Sequence, residues 1–187
     1  EPFISRHFQF IRLLKSMRAY NKIELEKVAR ETSFIRDNLE KVIRLSNILE
    51  FLVSNDDLKG KLVLKGGTAI NLTVFDMPRL SVDIDLDYCC NSDKETMMTD
   101  RAVIGQEILG HMQSNGYTLH PSSKNTHALD SWVFSYLNAG GNRDNIKIEI
   151  NYMMRTHILE PRTRKTSVPF IDEVDVYALS PLELFGS

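Results

Sequence analysis

Three short stretches carry side chains suited to act together. From residue 81 to 88 the chain alternates without a fault. Val82, Ile84, Leu86 and Tyr88 fall on one side of an extended strand, and Ser81, Asp83, Asp85 and Asp87 on the other. Asp83 and Asp85 are then same-face neighbours, close enough to share one cation or hold two. Without a cation their like charges repel and raise one pKa. Hard carboxylate oxygens suit magnesium, which usually takes one or two of them with phosphate oxygens and water. Upstream, strand-like residues 61–64 run into Gly66-Gly67-Thr68, and residues 68–74 read as a short helix. Glycine at such a corner lets the backbone approach a ligand, and a helix start offers free N–H groups to phosphate. Downstream, Lys147-Ile-Glu149-Ile-Asn151 puts a lysine and a third carboxylate on one strand face.

Each stretch also has an ordinary reading. A Gly-Gly pair is often a plain tight turn. Alternating aspartates suit the solvated face of an antiparallel edge strand. Lys147 and Glu149 make an acceptable surface pair worth little. Together, however, they supply a phosphate-binding corner, three carboxylates for two metals and a lysine. In-line attack on a nucleoside triphosphate needs that set.

These residues need elements to position them. Apolar spacing predicts helices over residues 3–17 and 23–29, then a longer one capped by Thr32-Ser33 and ended by Asn55-Asp56-Asp57. Residues 75–80 read as a loop. Ser92 with Glu95 resembles a capping box for a helix stopping at Gly116. Residues 132–137 and 145–152 read as strands of a hairpin turning through residues 139–144, and further strands are expected at 167–170 and 174–178. Ser180-Pro181-Leu182-Glu183 has the layout of a helix start. Residues 1–60 form the expected N-terminal helical segment and 61–187 the core. A helix start so near residue 187 suggests a core truncated before a C-terminal helical region.

Composition narrows the classes. With 42% hydrophobic and 26% charged residues, the chain is an ordinary globular protein rather than a collagenous or disordered one. A net charge of -2 leaves no global field for nucleic acid, so a polyanion must meet a local patch. The most basic stretch holds Arg155, Arg162, Arg164 and Lys165, and reads first as a solvated loop, second as a track for an RNA backbone. Cys89 and Cys90 are adjacent and are the only cysteines, which argues for reduced thiols and against a zinc site. The five histidines show no metal-ligand spacing. No apolar run approaches the ~20 residues of a membrane span, and the start lacks a signal-peptide layout. A cytoplasmic location without membrane partners is expected.

Lys65-Gly66-Gly67-Thr68-Ala69-Ile70, followed by Arg79-Leu-Ser81-Val-Asp83-Ile-Asp85-Leu86, resembles the signature of the AbiEii/AbiGii toxin family of nucleotidyltransferases, within the DNA polymerase β-like superfamily. Lys147-Ile-Glu149-Ile resembles its second motif and Leu182-Glu183-Leu184 the start of its third. The resemblance covers roughly residues 30–187. It implies an α/β (α+β) fold, a mixed twisted sheet flanked by helices. It also implies a two-metal magnesium site on Asp83, Asp85 and Glu149, with Glu149 as the base. Gly66, Gly67, Thr68 and Lys147 would hold the triphosphate, Thr68 through its hydroxyl. Arg79 and Ser81 would brace the loop or touch phosphate. Asp87 is expected to be structural, and Lys65 to face away from the pocket.

The implied function is transfer of a nucleoside monophosphate from a triphosphate to tRNA, another RNA or a protein. The chain would be the toxin of a bacterial toxin–antitoxin or phage-defence pair, with a cognate antitoxin as partner. Two alternatives remain open on the residues alone: a non-catalytic nucleotide-binding module, and a metal-dependent phosphohydrolase or nuclease.

Overall fold

In the computed structural model, which describes residues 21–32, 35–73, 83–153, 156–166 and 173–186, the alternating segments pair into one eight-stranded sheet. The strands are β1 (Leu62–Lys65), β2 (Asp83–Tyr88), β3 (Thr118–Leu119), β4 (Lys124–Asn125), β5 (Leu129–Leu137), β6 (Arg143–Asn151), β7 (Arg162–Lys165) and β8 (Asp175–Ala178). Their order is β3-β5-β6-β2-β1-β8-β7, with β4 also paired to β5. The sheet is mixed: β2 is antiparallel to β1 but parallel to β6, and β1 is parallel to β8. The helices are α1 (Lys22–Thr32), α2 (Arg36–Ser54), α3 (Gly66–Thr73), α4 (Lys94–Ser114) and α5 (Pro181–Gly186). The expected α/β class is the one observed.

The two faces of the sheet differ chemically because the strands alternate. Ile84, Ile148 and Trp132 lie opposite one another on one face, all but sealed from solvent. Beside them sit Leu86, Ile146, Ile150 and Phe134. Against this face α2 lays Leu45, Ile48, Leu49 and Leu52, and α4 lays Ile104, Ile108 and Met112. Gly105 of α4 lies where a Cβ would sit 3.8 Å from the Trp132 ring. The two helices also touch, Phe51 stacking on His111 with ring centroids 3.7 Å apart. Toward its start α2 turns Leu39, Val42 and Ile43 to α1, where Leu25, Val28 and Ala29 complete a satellite cluster.

One buried ion pair fixes α2 against the β5–β6 hairpin. Glu40 is wholly buried, and Arg44 donates to it at 2.8 Å and 2.9 Å. The second Glu40 oxygen accepts the Ala139 N–H of the hairpin loop at 2.8 Å. Arg44 also donates to the Tyr117 hydroxyl and lies 4.1 Å from the centroid of the Tyr136 ring. At the other end of the sheet, Tyr88 donates to Asp100, which Lys61 also binds, so the exit of β2 is tied to the first turns of α4.

Several sequence expectations are corrected. The α4 cap is Asp93, whose carboxylate accepts the Thr96 N–H at 2.8 Å, and not Ser92. Aspartate at that position meets the same need for an oxygen over the exposed N–H groups. Thr32 ends α1 instead of capping α2, which starts after Ile35 without a side-chain cap. The basic residues 162–165 are an edge strand, not a loop, held to β8 from Arg162↔Ala178 to Lys165↔Asp175. The two-residue strands β3 and β4 were not anticipated. The helix expected over 3–17, the loop over 75–80 and the strand over 167–170 lie outside the described residues.

Glu40→Ala would leave the Arg44 guanidinium buried without its carboxylate, and the Ala139 N–H without its acceptor. It is expected to lower the unfolding free energy by ~3–5 kcal/mol in denaturant titration. A loss below about 1 kcal/mol, the net worth of one ordinary hydrogen bond, would show that the pair does not hold the helix to the hairpin.

Candidate active site

Opposite the apolar face, register brings the sequence-predicted residues into two rows. Lys65 of β1 pairs with Asp85 of β2, Asp85 with Glu149 of β6, and Glu149 with Ser131 of β5. One step along the sheet, Asp83 pairs with Lys147. The parallel pairing of β2 and β6 keeps Asp83-x-Asp85 and Lys147-x-Glu149 in step, like beside like in spacing. Asp83, Asp85, Lys147 and Glu149 are all partly exposed.

The corner beside this face is tighter than a loop. Lys65 ends β1 and Gly66 already begins α3, so strand passes into helix with nothing between. Gly66 has φ +70°, the left-handed region, and a Cβ there would lie 2.6 Å from an Asp85 carboxylate oxygen. This glycine therefore meets two demands at once: backbone conformation, and room for the carboxylate across the strand pair. Thr68 is buried, and its hydroxyl donates to the backbone carbonyl of Asp83. The expected phosphate-binding hydroxyl thus clips the start of α3 to the start of β2.

Charges on this face are interleaved. Lys147 lies 2.9 Å from Glu149, and Lys65 lies 2.5 Å from Asp87. Contrary to the expectation that it faces away, Lys65 lies on this face, because pairing with Asp85 fixes it there. Asp87 is nearly sealed from solvent and also accepts from Asn151 at 3.0 Å, which gives it the structural role expected of it.

Burial, then the negative charges of Glu149 and Asp83, push the Asp85 carboxyl above the usual aspartate range; Lys147 and Lys65 pull the other way. For Glu149 burial also opposes ionisation. Hydrogen bonds from Lys147 and Ser131 and the lysine charges outweigh it, so its carboxyl falls below the usual range. The Lys147 ammonium is held above its ordinary value, chiefly by its hydrogen bond to Glu149. Ser131 was missed in the sequence, where a serine in a strand carries no signal until its cross-strand partner is known.

The donor set suits a hard cation in kind: carboxylate oxygens whose mutual repulsion shows in Asp85. Among the described residues, no three His, Cys, Asp or Glu side chains converge as a ready-made metal site. Glu149, the third candidate ligand, is instead turned to Lys147. Arg79 and Ser81 lie outside the described residues.

The model of the AbiEii nucleotidyl transferase toxins, from type IV toxin–antitoxin systems, matches residues 48–187. The chain belongs to the AbiEii family. The matched region contains both rows of the polar face and the Gly66 corner, and it is the family to which residues 65–70 and 79–86 pointed. No functionally curated protein matches the sequence. Among solved structures, JHP933 from Helicobacter pylori is similar with a TM-score of 0.50 and 20% identity, over 80% of this chain and 53% of that one. A nucleotidyltransferase candidate from the same organism has a TM-score of 0.49 and 21% identity, over 80% of this chain and 55% of that one. The chain spans about half the length of these two structures. At such identity the likeness to JHP933 speaks of the fold alone.

Two outcomes follow from the geometry. Gly66→Ala adds left-handed strain of ~1–2 kcal/mol to a collision with Asp85. Gly60→Ala adds strain alone, since nothing lies within 4 Å of a Cβ there. Denaturant titration should show the larger loss for Gly66→Ala, and equal losses would refute the close approach. For Asp85 the folded value is raised, so its stabilising share is present at low pH and is lost as pH rises through that value. Asp85→Asn should therefore unfold at higher denaturant than the wild type at neutral pH in chelator. The gain should shrink as the solution is acidified toward the ordinary aspartate range. A variant less stable than wild type at neutral pH would contradict the repulsion.

Proposed function

We propose that this AbiEii chain carries the core of a magnesium-dependent nucleotidyltransferase. It moves a nucleoside monophosphate from a triphosphate to a hydroxyl of tRNA, another RNA or a protein. It acts as the toxin half of a bacterial toxin–antitoxin or phage-defence pair, with an antitoxin as partner. Its place of action is the cytoplasm, where triphosphates and acceptors are found; no helix among the described residues is long and apolar enough to cross a membrane. The observation that carries this reading is the two-row placement of Asp83, Asp85, Glu149 and Lys147 beside the first turn of α3.

Each residue has a task in this mechanism. The first turn of α3, entered through Gly66 and Gly67, presents N–H groups and the positive end of its dipole to the triphosphate. Lys147 neutralises phosphate charge. Asp83 and Asp85, with Glu149, are the ligands for magnesium, which when bound supplies Lewis-acid stabilisation of the charge on the transferring phosphoryl group. The acceptor oxygen attacks the α-phosphorus, its proton passes to Glu149, and pyrophosphate leaves. Thr68 keeps α3 and β2 in fixed relation through its bond to the Asp83 carbonyl. Arg79 and Ser81, which lie outside the described residues, are assigned to bracing their own segment or touching phosphate.

The deciding experiment follows label from each α-labelled triphosphate, with magnesium and bacterial lysate, on a denaturing gel. Wild type should label a discrete RNA or protein band, and Asp83→Asn/Asp85→Asn should lose this by a factor of at least ~10³, the scale for removing preorganised electrostatic stabilisation. Transfer surviving in the double variant would end the proposal. Release of free nucleotide or cut RNA without adduct would favour the phosphohydrolase reading. Triphosphate binding without turnover would favour the binding module.

A further inference from the structure

We infer that Lys147 is a built-in competitor for Glu149, so that the third carboxylate becomes available to a cation only as the lysine is drawn away. This inference rests on the proposed function and adds an order to the loading of its site. Two lysines, Lys65 and Lys147, stand among the carboxylates of this face, and each is already engaged. The two pairs are not equivalent. Lys65 is bound to Asp87, whose side chain is 4% exposed and is held by Asn151 as well. Lys147 and Glu149 are 36% and 26% exposed, two residues apart on one strand. An ion pair so open to water is weak and exchangeable. The first pair is fixed architecture and the second is a latch.

The latch has two exclusive states. With Lys147 on Glu149, a cation arriving at Asp83 and Asp85 finds two carboxylates, and the third is neutralised by the lysine. A polyphosphate offers Lys147 a stronger anion than a single carboxylate, so its binding releases Glu149 toward the cation. A cation taken by Glu149 in turn releases Lys147 toward phosphate. Cation and triphosphate therefore favour one another through a side-chain exchange, in addition to their direct attraction, and the coupling is reciprocal. Asp85 pairs with Glu149 across the sheet and Asp83 with Lys147, so the exchange takes place beside both remaining carboxylates without moving the backbone.

The exchange is read directly from the reactivity of the lysine amines. The protein is acylated briefly with an amine-reactive ester, and labelling at Lys147 and Lys65 is quantified by peptide mass spectrometry. Saturating magnesium alone should raise Lys147 labelling at least ~fivefold, the lower range of an ordinary site-to-site coupling, and leave Lys65 unchanged. Inorganic tripolyphosphate added with magnesium should then protect Lys147. Glu149→Gln should label rapidly at Lys147 with or without magnesium. Calorimetry on the same samples reports cation binding. Saturable magnesium binding with unchanged Lys147 labelling, or with Lys65 rising equally, overturns the latch and leaves the proposed function standing. Absence of saturable magnesium binding overturns the metal site and the latch together.

Discussion

The site depends on one register, the parallel pairing of β2 with β6 that sets Asp85 opposite Glu149. Side chains alternate with a period of two, so slipping that pair by one residue would carry every carboxylate to the wrong face. The slip is prevented by the other face. Ile84, Ile148 and Trp132 form a row that α2 and α4 cover, and exposing it would forfeit the burial that holds the sheet to its helices. The precision of the polar face is thus enforced by the apolar one.

This division shows how the chain tolerates a group of carboxylates whose charges oppose one another. Repulsion at Asp85 is a local cost, and the stabilising interactions are placed elsewhere: in the core cluster, in the Glu40–Arg44 pair against the hairpin, and in the ties from Tyr88 and Lys61 to Asp100. Even within the acidic face there is a gradient. Asp87 is sealed and satisfied, while Asp83 and Asp85 remain partly open to solvent. The electrostatic cost at Asp85 falls on a residue that the proposed mechanism uses.

Much of this was legible in the sequence, for physical reasons that differ from residue to residue. The alternation from Val82 to Tyr88 and from Ile146 to Ile150 revealed which residues share a face, since period two needs no partner to be seen. It could not reveal which strands lie side by side. Lys65 was misjudged and Ser131 overlooked for that reason: each owes its place to a cross-strand neighbour remote in sequence. The Gly66-Gly67 pair announced a sharp corner, but not that Gly66 is required by the Asp85 carboxylate. The α4 cap was read one position off, Ser92 for Asp93, because adjacent polar residues offer the same oxygen. The edge strand β7 is Arg-Thr-Arg-Lys, with no apolar residue to alternate, and β3 has only two residues, so neither shows a period.

The mixed sheet has a consequence for how the protein comes to exist. Asp87 and Asn151, partners in the same register as Asp85 and Glu149, are 64 positions apart. Between them lie α4 and the β3–β5 strands, all of which must be laid down before β6 can take its place beside β2. The hairpin of β5 and β6 and the pairing of β1 with β2 are comparatively local, whereas the seam joining them closes a long loop, a slow and entropically costly contact. The two halves of the polar face are thus each local in sequence, and the contact joining them carries the larger closure cost. During synthesis the chain holds only one set of carboxylates until the second has left the ribosome, so the polar face belongs to the finished sheet and to none of its parts.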